Sequence, residues 1–190
     1  EFTKAIEAGR NVNDIRKIPQ LGFYMDGRCK TKDAVILNSY ERCTKDKVAF
    51  AENFHVVETY ANMMHPPVLV EPVGNGYVQI NPTWPPATQE EMDSFWDLPY
   101  TKLPHPRYKG KHIPAFEMIK FSINTHRGCF GGCNFCTIAA HQGKFIQSRS
   151  EESILSEIMG LKNLPGFAGN ISDVGAPTAN MYGMRGKNPE

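Results

Sequence analysis

The strongest constraint in this sequence is the stretch RGCFGGCNFCTIAAH, residues 127–141, in which Cys129, Cys133 and Cys136 fall within eight residues. Glycines separate the thiols, and glycine permits backbone conformations that other residues rarely adopt. Three thiols in one glycine-rich loop favour a metal or iron–sulfur centre over a packing role. The isolated Cys29 and Cys43 are expected to be plain thiols.

Composition narrows the class of protein. The chain has 190 residues, 41% of them hydrophobic, which suffices for one large domain or two small ones. Its formal net charge of +1 argues against a dedicated nucleic-acid surface, although it leaves a nucleic-acid partner undecided. The absence of any run of 18 apolar residues predicts no membrane span. The odd cysteine count fits no disulfide framework, so a cytoplasmic location is expected.

The N-terminal half predicts an α/β region. The chain does not begin with Met and opens with residues typical of the middle of a helix, which indicates a piece of a longer protein. Residues 44–65 predict a long helix with Thr44 as its N-cap. Asn75-Gly76 predicts a β-hairpin, and Pro72 predicts that the first hairpin strand lies at a sheet edge.

The C-terminal half predicts one βαβ unit. Residues 99–114, rich in Pro, Lys and His, predict an extended connector and a domain boundary. A strand is expected in EMIKFSINT, a helix capped by Ser148 in SRSEESILSEIMGLKNL, and a second strand in GNISDVGAPT. A strand, helix and strand in this order predict parallel pairing, so the fold class is α/β.

Three kinds of centre fit the cysteine spacing C-x3-C-x2-C. A zinc site needs a fourth ligand, which His126 or His141 lies near enough to offer. A redox dithiol fits Cys133 and Cys136, but it leaves Cys129 unexplained. A cubane iron–sulfur cluster held by three cysteines would keep one iron open for a chelating small molecule, and this reading accounts for the count of three.

The loop resembles the signature of the radical S-adenosylmethionine superfamily, in which an aromatic residue, here Phe135, precedes the last cysteine. The stretches PYTKLPHPRYKG, IPAFEMIKFSINTHRGCFGGCNFCTIAAH and DVGAPTANMYGM further resemble the YgiQ-type proteins of that superfamily. This resemblance implies that residues 1–98 end an N-terminal region. It also implies that residues 99–114 are a connector and that residues 115–190 are the truncated start of a partial (β/α) barrel.

The resemblance also implies a function. Cys129, Cys133 and Cys136 would hold a 4Fe–4S cluster, and its fourth iron would bind S-adenosylmethionine. One electron from a donor such as flavodoxin or ferredoxin would then yield methionine and a 5′-deoxyadenosyl radical. The resemblance implies a reaction class and no particular substrate. The parent protein is expected to be an enzyme and this chain alone inactive; the alternative is a non-catalytic iron–sulfur or zinc-binding module.

Four residues are implied to contact S-adenosylmethionine. Phe135 would pack near the adenine, unless it is a core residue that caps the loop. The superfamily's Gly-Gly-Glu-like stretch corresponds to Asp173–Thr178 here, and its Glu is missing. The carbonyls of Gly175 and Ala176, or the hydroxyl of Thr178, are therefore expected to accept a hydrogen bond from the methionine amino group. Arg149 is a further candidate, to reach the cofactor's carboxylate.

Overall fold

The computed structural model describes residues 1–176 and 179–186, apart from the side chains of Val12 and Asp14. The chain divides into two compact units, the first comprising Glu1–Pro85 and the second beginning at Pro86. Helices and strands occur in both units, so the α/β class predicted from the sequence is confirmed. Within the described residues, no helix combines the length and apolar character needed to cross a membrane.

The first unit is built on a four-stranded sheet with the strand order β1 (Gly22–Asp26), β4 (Gly76–Ile80), β3 (Leu69–Val73) and β2 (Val35–Ile36). Strands β1 and β3 both pair antiparallel with β4, whereas β2 pairs parallel with β3. A 3-10 turn, Val12–Ile15, precedes the sheet, and Ile15 and Val70 are each 1% exposed. The elements in chain order are α1 (Phe2–Glu7), β1 (Gly22–Asp26), β2 (Val35–Ile36), α2 (Tyr40–Cys43), α3 (Lys47–Tyr60), β3 (Leu69–Val73) and β4 (Gly76–Ile80).

The predicted hairpin is confirmed, but its turn lies one residue earlier than expected. The turn residues between β3 and β4 are Gly74, at φ +56°, and Asn75. Gly76 belongs to β4, where an added Cβ would lie 2.3 Å from the Met25 carbonyl oxygen. The glycine at 76 is therefore required by close strand approach, and the glycine at 74 supplies the positive φ of the turn.

Pro72 does not place β3 at a sheet edge, because β2 pairs with β3 on the side opposite β4. Strand β2 is short, however, and pairs only with Leu69 and Val70. The Val70 carbonyl accepts a hydrogen bond from Leu37 N at 2.8 Å, so it faces the β2 side. Backbone groups alternate sides along a strand, so the Pro72 nitrogen faces the same side, beyond the end of β2, where no N–H is needed.

The long helix of the first unit, α3, is shorter than predicted at both ends. Asp46, rather than Thr44, caps it by accepting a hydrogen bond from Val48 N at 2.9 Å. The Thr44 hydroxyl instead donates to the Glu41 carbonyl in the last turn of α2. The helix ends at Tyr60, before Pro66, whose ring excludes a helical carbonyl four residues upstream.

The second unit contains the predicted parallel βαβ arrangement. Strands β5 (Ser122–Asn124) and β8 (Asp173–Gly175) pair parallel, with Ile123 opposite Val174, and the helix α7 (Glu151–Leu161) lies between them in the chain. Strands β6 (His126–Arg127) and β7 (Gln147–Ser148) form a separate two-stranded antiparallel sheet that the sequence did not predict. The elements are α4 (Gln89–Trp96), α5 (Pro114–Ile119), β5 (Ser122–Asn124), β6 (His126–Arg127), α6 (Ile138–Gln142), β7 (Gln147–Ser148), α7 (Glu151–Leu161) and β8 (Asp173–Gly175).

The core of the second unit lies between β5 and α7. Ile123 from the strand packs with Ile154 and Leu161 from the helix, and all three are buried. Phe121 adds an edge-to-face contact with Phe167, with ring centroids 5.1 Å apart. Helix packing over a parallel strand pair is how a βαβ unit buries its apolar face.

Two boundaries in the second unit differ from the prediction. The predicted strand EMIKFSINT begins as a helix, because Pro114 occupies the first turn of α5, and only Ser122–Asn124 is extended. The N-cap of α7 is Ser150, which accepts a hydrogen bond from Ser153 N at 3.1 Å. Ser148 was expected to cap this helix, but it pairs with His126 in the β6–β7 sheet.

Candidate functional site

The cysteine loop, residues 128–146, connects the two short strands β6 and β7 of the second unit. Pairing of His126 with Ser148 and of Arg127 with Gln147 closes the base of residues 128–146. Inside this closure, Cys129 N donates to the Gly143 carbonyl at 3.0 Å. The three cysteines are therefore carried on a loop whose two ends are tied to each other and to the end of β5.

Gly128 makes this closure possible. Its φ is +92°, and an added Cβ would lie 2.0 Å from the Phe145 carbonyl oxygen. Its N–H donates to Gln142 Oε1 at 3.3 Å, across the loop. Only a residue without a side chain allows the two arms of the loop to approach this closely.

Gly131 lies between two of the sulfurs. A Cβ on Gly131 would lie 3.3 Å from Cys129 Sγ and 3.7 Å from Cys133 Sγ. Gly131 N also donates to Cys129 Sγ at 3.4 Å, and Cys136 N donates to the Cys133 carbonyl at 2.9 Å. The loop thus turns its backbone toward the sulfurs, and Cys133 is exposed while the other two cysteines are half-buried.

The cysteines do not form a closed ligand set. Among residues 1–176 and 179–186, no group of three or more Cys, His, Asp or Glu side chains has a geometry that could hold a metal ion. The donor set nevertheless suits a soft iron–sulfur centre, because three thiols share one loop and Gly131 leaves free the space that a Cβ would fill against two of them.

His126 is a structural residue at the base of the loop. Its ring is 1% exposed, its Nε2 accepts a hydrogen bond from Met181 N at 3.4 Å, and its Nδ1 lies 3.0 Å from Thr125 Oγ1. Burial lowers the pKa of the imidazole below its usual value, and a hydrogen bond with the Ala179 backbone opposes part of this shift. The ring is therefore neutral at neutral pH, and both of its nitrogens have protein partners.

The end of β8 lies beside Thr125. The Gly175 carbonyl accepts hydrogen bonds from Thr125 N at 2.7 Å and from Thr125 Oγ1 at 3.2 Å, so both of its lone pairs are used. Ala176 is 9% exposed, and its carbonyl has no hydrogen bond within the described part of the chain. Of the two predicted carbonyl acceptors, Ala176 is thus the one left open. Thr178 lies outside the described residues.

The side chain of Phe135 projects from the cysteine loop into solvent. Its side chain is 90% exposed, so the alternative reading, a core residue that caps the loop, is wrong. The neighbouring Phe130 is 54% exposed. An aromatic ring in this position is free to cover a small molecule bound beside the cysteines, which is the role implied for Phe135 by resemblance.

Arg149 is engaged in structure rather than aimed at the cysteine loop. Its side chain is 1% exposed and pairs with Glu157, and its Nη1 donates to the Asn124 carbonyl at 2.8 Å. Both Nε and Nη2 donate to Ser153, and the guanidinium lies 4.9 Å from the ring of Trp96. The expectation that Arg149 reaches the cofactor's carboxylate is therefore not met, because every nitrogen of the guanidinium already has a partner.

The buried contacts of Arg149 were difficult to predict from the sequence. Arg149 stands one residue before the capping Ser150, where a basic residue is ordinarily solvated. The i,i+4 spacing of Ser153 and Glu157 places these two side chains on one face of α7, whereas Arg149 lies before the helix and reaches them from outside it.

Comparison with known proteins identifies the family. The family model described as Radical SAM N-terminal matches residues 1–122. The UPF0313 protein of Bacteroides thetaiotaomicron is 49% identical over 98% of this chain and 31% of its own length. The UPF0313 protein of Porphyromonas gingivalis is 46% identical over 98% of this chain and 30% of its own length. UPF0313 protein YgiQ of Escherichia coli is 49% identical over 83% of this chain and 22% of its own length.

The chain thus spans less than a third of the length of these relatives. No solved structure matches it. The chain belongs to the radical SAM N-terminal family and, within it, to the UPF0313, or YgiQ-type, proteins.

Proposed function

We propose that the parent protein is a radical S-adenosylmethionine enzyme and that this chain supplies its cluster-binding loop. The observation that carries the proposal is the set of three thiols on one loop, with Gly131 lying directly against two of them. Three protein ligands leave a fourth iron of a 4Fe–4S cluster free for a small molecule. Membership of the family supports the same reaction class.

In this proposal Cys129, Cys133 and Cys136 hold the three other irons. When bound, such a cluster supplies the electron that cleaves S-adenosylmethionine to methionine and a 5′-deoxyadenosyl radical. The chain's own residues orient the bound S-adenosylmethionine and shield it from water. Phe135 covers the adenine. The Ala176 carbonyl at the end of β8, with Thr178 after it, accepts a hydrogen bond from the methionine amino group. The Gly175 carbonyl instead accepts from Thr125 and fixes the end of β8 against β5.

We also propose a domain organisation. Residues 1–98 form the end of the N-terminal region, and residues 115–190 begin the core domain. Residues 99–114 are the connector between the two. The compact units divide earlier, between Pro85 and Pro86, so α4 folds with the second unit although it precedes the proposed connector. The family match ends at residue 122, where the parallel β5–β8 pair starts, and this supports a change of domain near that residue. The remaining strands of a barrel, the electron donor and the substrate would be contributed by or bound to the rest of the parent protein.

The test is cluster content and turnover in the full-length protein, reconstituted without oxygen. We expect about four iron and four sulfide per chain, as a cubane cluster requires. Reduction with dithionite should then release 5′-deoxyadenosine from S-adenosylmethionine. Replacing Cys129, Cys133 or Cys136 by Ala should remove both signals, because each change deletes one of three protein ligands.

Cys29→Ala and Cys43→Ala are the matched controls, because they make the same substitution at isolated cysteines. Both controls should keep iron, sulfide and turnover. One zinc per chain with no sulfide would instead identify a structural module. Cluster loss in a folded Cys29 or Cys43 variant would contradict the assignment of ligands.

A further inference from the structure

The first unit contains a cavity of about 320 Å³ on one face of its four-stranded sheet. Cross-strand pairing puts four lining side chains on this face, because Phe23 lies opposite Gln79 and Met25 lies opposite Tyr77. Tyr77 and Gln79 are 5% and 9% exposed, so they lie at the bottom of the cavity. This cavity, which we call the basic pocket, shares no residue with the cysteine loop.

Cationic side chains surround the mouth of the basic pocket. Arg16 and Lys17 follow the 3-10 turn, and Lys30 comes from the loop between β1 and β2. Among the described residues, no aspartate or glutamate lines the cavity. The whole chain is nearly balanced, with 21 Lys and Arg against 20 Asp and Glu, so this is a local excess. Clustered like charges concentrate an oppositely charged ligand.

Neutral groups hold the Arg16 side chain in place. Its Nη1 lies 2.5 Å from Met25 Sδ, its Nη2 donates to Asn13 Oδ1, and its guanidinium carbon lies 5.6 Å from the centroid of Phe23. The Arg16 carbonyl accepts from Asn81 Nδ2 at 2.6 Å, which fixes the backbone. No described carboxylate pairs with this guanidinium. Its charge is thus positioned in advance and left uncompensated, as an anion site requires.

Uncharged donors lie below the cations. Thr31 Oγ1 donates to Gln79 Oε1 at 2.7 Å, and Gln79 Nε2 donates to Asn81 Oδ1 at 3.1 Å. This network fixes the Gln79 amide and leaves its second N–H unused. Within the described part of the chain, the hydroxyl of the 5% exposed Tyr77 forms no hydrogen bond. No buried side-chain nitrogen or oxygen of the described residues lacks a partner, so the Tyr77 hydroxyl is accessible to solvent, and both donors are available to a ligand in the cavity.

We propose that the basic pocket binds a small phosphate-bearing molecule with a planar apolar body. The cations match the phosphate, and the guanidinium of Arg16 with the rings of Phe23 and Tyr77 matches the planar part. The volume lies at the lower end of small-ligand sites, which fits a compound the size of a nucleoside monophosphate. The proposal is independent of the cysteine loop and of its chemistry.

The test measures binding of adenosine monophosphate to the full-length protein at low salt by calorimetry. Adenosine and inorganic phosphate serve as the two halves of the probe. Lys30→Gln should weaken binding about tenfold, the loss expected for one charge-assisted contact. Lys32→Gln is the matched control, because it removes the same charge from the same exposed loop at a position that does not line the cavity.

The expected result is that adenosine monophosphate binds more tightly than either half and that Lys32→Gln changes its affinity by less than about twofold. An equal loss of affinity in Lys30→Gln and Lys32→Gln would show that the ligand is attracted by the general charge of the loop, and it would overturn the proposal. It would also be overturned if adenosine or inorganic phosphate bound as tightly as the monophosphate, or if no binding occurred at millimolar ligand.

Discussion

Among single residues, Gly128 controls the approach of the two arms of the cysteine loop. We predict that Gly128→Ala destabilises the second unit more than a positive φ alone would, because its Cβ would meet the Phe145 carbonyl oxygen at 2.0 Å. Alanine at positive φ costs about 1–2 kcal/mol. The measurement is urea unfolding of the 190-residue chain followed by Trp96 fluorescence after Trp84→Phe.

Gly166→Ala is the matched control, since Gly166 has a φ of +77° and open space where its Cβ would lie. It should show the conformational cost without the clash. If the two variants lose equal stability, the close approach at Gly128 does not limit the folding of the loop.

The residues of the candidate site were predictable to different degrees. The cysteines stand out in the sequence because their spacing is itself the signal. The exposure of Phe135 was not readable, because an aromatic residue between cysteines is equally compatible with a core position. The use of the Gly175 carbonyl by Thr125 depends on parallel pairing of two strands about 50 residues apart, which no local pattern encodes.

Among the helices and strands, Arg149 connects α7 to α4 and to the end of β5. We predict that Arg149→Met costs about 3–5 kcal/mol, the range for removing one partner of a buried ion pair. The change would leave Glu157, 13% exposed at its side chain, without the guanidinium, and the Asn124 carbonyl without its donor. Among the described residues, Glu157 would keep its pair with Lys102. Trp96 fluorescence should report the change directly, since the guanidinium lies over its ring.

Lys120→Met is the control, because Lys120 pairs with the half-exposed Glu117 and its loss should cost less than about 1 kcal/mol. Glu157→Gln, which keeps the hydrogen-bond acceptor, should cost less than Arg149→Met. If Arg149→Met is no more destabilising than Lys120→Met, the buried contacts of Arg149 contribute little to the stability of the unit.

Helix ends show why element boundaries are hard to predict from sequence. Thr44 and Ser148 both had the residue type and spacing of an N-cap. In the folded chain their hydroxyls serve the last turn of α2 and the N–H of Gly183 instead. Thr88 does cap α4 and forms a full capping box with Glu91, as the Thr-x-x-Glu spacing of the sequence indicates.

At the scale of the whole molecule, the two units differ in how much regular structure supports them. We predict that in the 190-residue chain residues 120–170 exchange amide hydrogens faster than residues 44–80. The first unit has a four-stranded sheet and the 14-residue helix α3, whereas the second has two-stranded sheets with strands of two or three residues. Few cross-strand hydrogen bonds allow low-energy local opening. Hydrogen exchange followed by mass spectrometry measures this directly, and uniformly slow exchange would contradict it.

The position of Pro72 has a consequence for crowded solutions. An unpaired strand side acts as a template on which another chain can add its own strand, the first step toward aggregates. Beyond the short β2, this side of β3 presents a proline ring where a donor would stand, and the Glu41 carboxylate of α2 accepts a hydrogen bond from Gly74 N at 2.7 Å. An incoming strand would therefore find its ladder interrupted after Val70. Pro72 removes a donor from an inner strand, and it should thereby make extension of the sheet by a neighbouring copy of the chain less favourable at this side.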